Sequence, residues 1–512
     1  MRTWRTAHRS LRSADPRRHR AFSASVWPCG RRSTADLLQH GADEENVCVT
    51  GWVRTVRKQK RVAFAAVSDG STVHSIQAVL KPEDAANLST GTAVELNGDW
   101  KASSGAKQSH ELHVSRLKVL GENDAQNHPV QQKYQTAEYL RTIPHLRARI
   151  PANTLLLRLR SELIAAVTDF FNRQDFVQTH TPIITSSDCE GAGEVFTVSS
   201  NTLEDASSKS ESVQEAPAEH HFFRQPKFLT VSAQLHLEAL AQAVTKVWTL
   251  SPTFRAERSD TPRHLSEFYM LEAEVCFVQD LNEIMDLVEA MLRSAVSTLA
   301  KSRVAQELLE PKQQPPPRDP TANNNDSSPP SSEILQQRWN GIIAPDWPRI
   351  TYAEAIQLLE EAHASRKNTT AFHFPPSYAD GLQAEHERYL ASTIGQGKPV
   401  FVTHYPAAQK PFYMSPSTDS DTVACFDLLV PDLCELAGGS LREHRSEELQ
   451  AAMRGKGVAG ENLEWYHNLR RFGSVPHGGF GLGFDRLLCY LSGVGNVRDV
   501  VAFPRWFGRC EC

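Results

Sequence analysis

No apolar run in this 512-residue chain approaches the ~20 residues that a helix needs to cross a bilayer, so no membrane protein is expected. The nine cysteines contain no CxxC pair, and only Cys510 and Cys512 lie close together. A disulfide framework and a structural zinc site both lack their spacing, and a reducing compartment fits. A Walker loop and a GxGxxG fingerprint are missing too. Gly478, Gly479, Gly481 and Gly483 run straight into Asp485 and Arg486, without the GK[ST] ending or the βαβ spacing of those phosphate loops. Lysine is absent from the first 34 residues, which hold nine arginines and one acid, Asp15. With their serines and scattered apolar residues they have the composition of an organellar transit peptide, and a basic nucleic-acid-binding arm is the competing reading. Without that segment 46 basic residues face 59 acidic ones, so a nucleic acid would have to be met by a local basic patch.

The length exceeds what one hydrophobic core serves, and two or three domains are expected. Residues 45–121 alternate apolar and polar positions in five short segments separated by Gly, Ser, Asp and Lys turns, the pattern of a small closed barrel of the oligonucleotide-binding type. Its first hairpin carries Arg54, Arg57, Lys58, Lys60 and Arg61 near Phe64. Such a face suits single-stranded nucleic acid, although an aromatic in an alternating strand can equally be barrel core. Residues 122–150 read as a hinge that turns helical. From about Asn153 to Arg173 an apolar stripe predicts a long helix, followed by an extended segment in which Pro182 belongs at a strand edge or start. Residues 199–220 and 310–333 are low-complexity and are expected to be disordered insertions within a domain spanning 151–512. The mixed stretch before Gly397 is expected to form an accessory module.

The most informative stretch is Phe254–Phe268. Arg255, Glu257, Arg258, Arg263, His264 and Glu267 sit between two phenylalanines, with Pro262 in the middle, a pattern that reads strand, loop, strand. Such a hairpin could wrap a polyanion with an aromatic plane attached, as in ATP, or be a solvated, salt-bridged loop. Downstream, glycines 478–483 would let a backbone pass beneath a flat ligand, while Arg486 reaches back over it.

Taken together, Pro182 after its helix, FRAE with HLSEF, and GLGFDR resemble the three signature motifs of class II aminoacyl-tRNA synthetases, in order. The span from Val47 to the C-terminus resembles the aspartyl/asparaginyl/lysyl branch. CEGAGEVF, RHLSEFYMLEAEV, DLLVPDLCELAGGSLREHR and RRFGSVPHGGFGLGFDR resemble asparaginyl-tRNA synthetases in particular. The resemblance implies an α+β architecture: a five-stranded OB-type barrel joined to an antiparallel-sheet catalytic domain flanked by helices, acting as a homodimer. It implies ATP and Mg²⁺ as cofactors, L-asparagine and tRNA(Asn) as substrates, and, with the leader, the mitochondrial matrix, with plastid dual targeting as an extension.

The implied roles are specific. Arg255 would hold the α-phosphate, Glu257 the adenine amino group, His264 and Arg486 the γ-phosphate, and Phe268 would stack on adenine. Asp427 and Glu435 would hold Mg²⁺. Glu190, Ser232 and Gln234 would bind the substrate ammonium, and Arg442 its side-chain oxygen. Leu237 stands where aspartyl enzymes carry a lysine, which disfavours a carboxylate substrate. Glu272, expected to face Arg442, would accept from an amide NH₂ and repel aspartate. In the barrel, Phe64 and Gln77, with Arg54, would bind the anticodon. Ala233 replaces a usual glycine, Arg258 a usual asparagine, and residues 414–423 diverge. The alternatives are an aspartyl enzyme, non-discriminating or not, and a catalytically silent RNA-binding paralogue.

Overall fold

The computed structural model describes residues 31–105, 108–130, 135–186, 194–199, 221–310, 330–365, 372–418, 421–458 and 463–512. The chain divides into two compact units, up to Asn127 and from His128 to Cys512. No helix among the described residues is long and apolar enough to cross a membrane.

In the first unit β1 (Glu44–Lys58), β2 (Ala63–Ser68), β3 (Ile76–Leu80), β4 (Ala93–Ala102) and β5 (His110–Gly121) close into a barrel of order β1-β2-β3-β5-β4. The alternation fills its interior, since every second residue of a strand points to the same face. Val47, Val49, Val53, Ala63, Ala65, Val67, Ile76, Ala78, Val94, Leu96 and Trp100 are buried together. Gly98 sits where the β4–β5 register shifts, and a Cβ there would meet the His113 carbonyl oxygen at 2.1 Å.

A short helix, Thr34–His40, precedes the barrel, capped by Ser33 and plugging Leu37 into the core. Arg32 donates to both oxygens of Glu44 at 3.0 and 2.9 Å, and the Thr34 amide donates to Asp69 at 3.0 Å. Arg31–Thr34, the end of the expected leader, are thus built into this unit, while residues 1–30 lie outside the described ones.

The second unit contains β6 (Val177–Gln178), then a small sheet of β7 (Ile184–Thr185), β8 (Thr197–Val198) and β9 (Lys227–Leu229). β10 (Lys246–Phe254), β11 (Glu267–Cys276), β12 (Arg349–Thr351), β13 (Val400–Thr403), β14 (Cys425–Val430), β15 (Cys434–Leu441) and β16 (His477–Gly483) follow. The large sheet has the order β12-β13-β14-β15-β16-β11-β10-β6. It is antiparallel except at its edges, where β12 pairs with β13 and β6 with β10 in parallel.

The predicted long helix is Pro151–Arg173, its apolar stripe buried from Leu155 to Phe171, with Phe171 stacked 4.7 Å from Trp248 of β10. Residues 137–147, inside the expected hinge, form two short helices of this unit. Arg141 donates to both oxygens of Asp499 at 2.9 and 2.7 Å, and Arg147 to the Arg498 carbonyl at 2.8 Å.

The stretch before Gly397 is not a separate module. It supplies the edge strand β12 and two helices, Tyr352–Ser365 and Ala384–Thr393, whose Tyr352, Ile356, Leu359 and Leu390 share one core with Val402 and Leu429. A three-residue strand carries too little periodicity to announce itself. The insertions differ slightly from expectation as well: a helix capped by Ser331 begins at Ser332, within 310–333, while 200–220 and 311–329 lie outside the described residues.

Candidate active site

β10 and β11 form the hairpin foreseen at Phe254–Phe268, in register from Phe254 opposite Glu267 to Lys246 opposite Val275. Because strand side chains alternate, Phe268, Met270, Glu272 and Glu274 share one face of β11. Leu271 and Ala273 are buried on the other. From Phe268 to Glu272 that face runs about 14 Å.

Across the sheet a second line crosses the first. Asp427 pairs with Gly438, Gly438 with Gly481, and Gly481 with Glu272. Two carboxylates therefore flank a floor of two glycines, over a width of about 14 Å. The glycines keep this floor free of side chains. A Cβ on Gly481 would lie 2.9 Å from the Met270 methyl, and one on Gly438 would touch Asp427 at 3.4 Å and Glu435 at 3.5 Å.

Above this floor lies a cavity of about 720 Å³, part of it open to solvent, lined by Arg255, Glu257, His264, Phe268, Glu435 and Arg486 among others. The Arg255 guanidinium carbon stands 5.7 Å from the centre of the Phe268 ring. His264 faces Glu257 at 3.3 Å through Nε2 and Ser259 at 3.0 Å through Nδ1, where Thr261 also contacts it. Burial, with the positive charges of Arg486, Arg263 and Arg255, holds its pKa below the usual imidazole range, against the pull of Glu257. Arg486 reaches over the floor and donates to the Glu435 carbonyl at 3.1 Å. Cationic donors thus converge on a polar trough beside an aromatic plane, a geometry suited to a nucleotide triphosphate.

At the far end Glu272, 3% exposed, accepts from the Ser232 hydroxyl and from the Ala233 amide at 3.2 and 3.0 Å. Burial raises its pKa above the ordinary carboxylate value, against those bonds and the fields of Arg442 and Arg255. Gln234 is turned toward a deeper acid: its amide NH₂ donates to Glu238 at 3.0 Å.

Arg442 corrects an expectation. Its fork closes on Glu274, not Glu272, with bonds of 3.1 and 3.0 Å, while Nη1 donates to Ser440 at 2.7 Å. Glu274 stands one register step further along, opposite Gly479, where a Cβ would come within 2.0 Å of its Oε2. Leu237, 1% exposed, packs in an apolar cluster with Ala233, Ala241, Val247 and Cys276, so no ammonium reaches the trough from that position. Glu190 lies outside the described residues.

In the first unit Phe64 and Gln77 are brought onto the outer face of neighbouring strands, Phe64 opposite Arg57 and Val79, Gln77 opposite Ala66. Phe64 is half-buried and outside the barrel core. Gln77 donates to Glu111 at 3.1 Å and accepts from Arg57 at 3.4 Å. Arg54 falls in the β1–β2 register shift between Val53 and Thr55.

Residues 136–507 match the family described as tRNA synthetases class II (D, K and N). The chain belongs to that family. Residues 47–120 match an OB-fold nucleic acid binding domain. Two yeast proteins named asparagine–tRNA ligase, mitochondrial, are each 40% identical to it. The one from Saccharomyces cerevisiae covers 91% of this chain and 93% of its own length, and the one from Schizosaccharomyces pombe 93% and 98%. The crystal structure of asparaginyl-tRNA synthetase from Pyrococcus horikoshii, complexed with asparaginyl-adenylate, superposes with a TM-score of 0.77. It is 27% identical and covers 94% of this chain and 99% of that one.

For this synthetase the sequence reading missed a buried layer behind the trough. Glu238 accepts from Arg470 at 2.6 Å, from Tyr466 at 2.9 and 2.8 Å, and faces His477 at 3.1 Å. Burial alone would raise the Glu238 pKa, but Arg470, His477 and Arg442 outweigh it and hold it low. Donor atoms of Glu238, Glu274 and His477 lie within 4.8 Å of one another. Arg470 and Arg442 already bond the two carboxylates, so this is an ion-pair network and not a cation site. The visible signal was the pair Glu272 and Glu274, two acids at period 2 in an apolar strand.

Two more residues escaped notice. Lys410 donates to both oxygens of Asp427 at 3.0 and 2.8 Å. Glu387 accepts from the Glu435 amide at 3.3 Å, and burial, with Glu435 and Asp427 nearby, pushes its pKa up to about 7.

Proposed function

We infer that this chain is an asparagine–tRNA ligase, which joins L-asparagine to the AMP portion of ATP with release of pyrophosphate and passes the activated residue to the 3′ end of tRNA(Asn). The observation that carries the reading is the row Asp427, Gly438, Gly481, Glu272, a flat floor with a phosphate-side carboxylate at one end and an amino-acid-side carboxylate at the other.

In this reading adenine stacks on Phe268 with its amino group on Glu257. Arg255 holds the α-phosphate, and His264 and Arg486 the γ-phosphate. Ser232, Gln234 and Glu190 receive the ammonium of asparagine, and Arg442 its side-chain oxygen. The asparagine carboxylate then attacks the α-phosphorus, pyrophosphate departs, and a ribose hydroxyl of the tRNA end later displaces AMP from the carbonyl. Holding the reactants in line and spreading charge over fixed donors suffices, so no side-chain nucleophile is needed.

The oxygens of Asp427 and Glu435 converge at Gly438, a hard donor set that fits Mg²⁺; bound there, the ion would neutralise phosphate charge. Glu272 accepts from the asparagine amide and repels aspartate, and the apolar setting of Leu237 supports the same preference over the aspartyl reading. Phe64, Gln77 and Arg54 meet the anticodon. Leu157, Val177, Ile183 and Ile184 are exposed apolar side chains around the long helix and strands β6 and β7, which supports a homodimer through that face. The arginine-rich start and the mitochondrial relatives support import to the matrix, with a leader cut before Arg31.

The test is amino-acid-dependent pyrophosphate exchange with asparagine and aspartate side by side. Exchange driven by asparagine and abolished by Arg255→Ala is expected. Preference for aspartate would overturn the specificity, and near-normal adenylate formation in the variant would overturn the phosphate role.

A further inference from the structure

Asp427 is already occupied. Both of its oxygens accept from the Lys410 ammonium, and each side chain is only 17% exposed. The ammonium also lies 3.9 Å from the centre of the Tyr405 ring, itself 5% exposed, a placement that favours the cation further. The segment bearing Lys410 is fixed on both sides. Gln409 donates to the Tyr378 and Ala379 carbonyls at 3.0 and 3.1 Å, and Phe412 and Tyr413 are buried in a core with Leu449 and Tyr466.

A cation at this spot changes what the carboxylate pair can hold. Mg²⁺ gives up water reluctantly and is ordinarily held by one or two carboxylates together with substrate phosphates. With Lys410 in place the two acids carry one net negative charge, and any ion bound to an Asp427 oxygen would sit beside a fixed ammonium. ATP reverses the balance by adding several negative charges next to Glu435.

We propose that Lys410 is a built-in counter-cation of Asp427 that keeps the Asp427–Glu435 pair from taking up a divalent ion until a nucleotide arrives, so that metal entry and release of the lysine are one exchange. This rests on reading Asp427 and Glu435 as metal ligands.

The test is Mn²⁺ binding to the full chain, followed by the electron spin resonance of the free ion, with and without a non-hydrolysable ATP analogue. Lys410→Met should bind Mn²⁺ at least about tenfold more tightly than wild type without nucleotide, equivalent to about 1.4 kcal/mol. Lys410→Arg should behave as wild type. Because Lys410→Met leaves a buried carboxylate uncompensated, its melting temperature should also rise with Mn²⁺ where the wild type's does not. Nucleotide-free affinity within about threefold of wild type, or no rescue of the melting temperature, overturns the proposal. Asp427→Asn separates the two readings: if it binds Mn²⁺ normally with the analogue present, the metal-ligand reading fails, whatever Lys410→Met does.

Discussion

Glu274→Gln tests how the amino-acid end is held. Arg442 and Glu274 are 4% and 1% exposed in their side chains and share two bonds of 3.1 and 3.0 Å. Removing one partner of such a buried pair altogether costs about 3–5 kcal/mol, because the other charge is stranded. Glutamine is nearly isosteric and keeps one acceptor, so the loss is closer to that of one hydrogen bond to a charged group, about 1.5–3 kcal/mol. A further discount applies. Burial raises the Glu274 pKa and Glu238 adds to it, with Arg442 opposing, so the ionised glutamate is itself partly disfavoured. About 2 kcal/mol remains, which lowers kcat/KM for asparagine about 30-fold if the bonds to Glu274 are what hold Arg442 in place for the substrate. Asparagine-dependent pyrophosphate exchange with urea unfolding reads both quantities, and KM for ATP should stay within about twofold. A variant that loses stability but keeps kcat/KM for asparagine within about threefold of wild type, or whose ATP KM moves as far, would refute the reasoning.

Glu272→Gln should split stability from specificity. The raised pKa of Glu272 means that its contribution to stability is complete below the unfolded value of 4.5 and is lost as pH rises through the folded one. The uncharged variant should therefore gain on wild type as pH rises from 4.5 to 8 in thermal melts, while its discrimination between asparagine and aspartate shrinks. A wild-type advantage that grows with pH would contradict this. Gly479→Ala should destabilise by about 3 kcal/mol or more, since its Cβ would meet the Ala273 carbonyl oxygen at 2.2 Å as well as Glu274; Gly483→Ala, with its nearest neighbour the Arg486 side chain at 3.4 Å, should fold normally in urea titrations. Phe64→Ala should weaken tRNA binding by about 1–3 kcal/mol and leave pyrophosphate exchange unchanged. Mass spectrometry of the imported protein should find its first residue at or before Arg31, because later cleavage removes the Arg32–Glu44 pair and then the Ser33 cap.

The sequence by itself determined whatever depends on neighbours along the chain. Alternation from Val47 to Val119 prescribes a barrel, since period 2 puts one face inside. The stripe from Leu155 to Phe171 prescribes a helix, and the run from Arg255 to Phe268 marks a charged loop between strands. The ordered motif strings pointed to the family and to the residues that line the trough. Only the tertiary structure decided who faces whom. Arg442 bonds Glu274, 168 positions away; Arg141 bonds Asp499, 358 positions away; and Lys410 bonds Asp427, 17 positions away. Even the floor of the site, Asp427 to Gly438 to Gly481 to Glu272, exists only through the registers of four strands. A residue's period tells which face it takes, but register is fixed by pairing between distant segments, and a shift of two residues keeps every face while changing every partner. That is why Glu272 and Glu274 look equivalent in the chain, and why the fold alone decides which one takes the arginine.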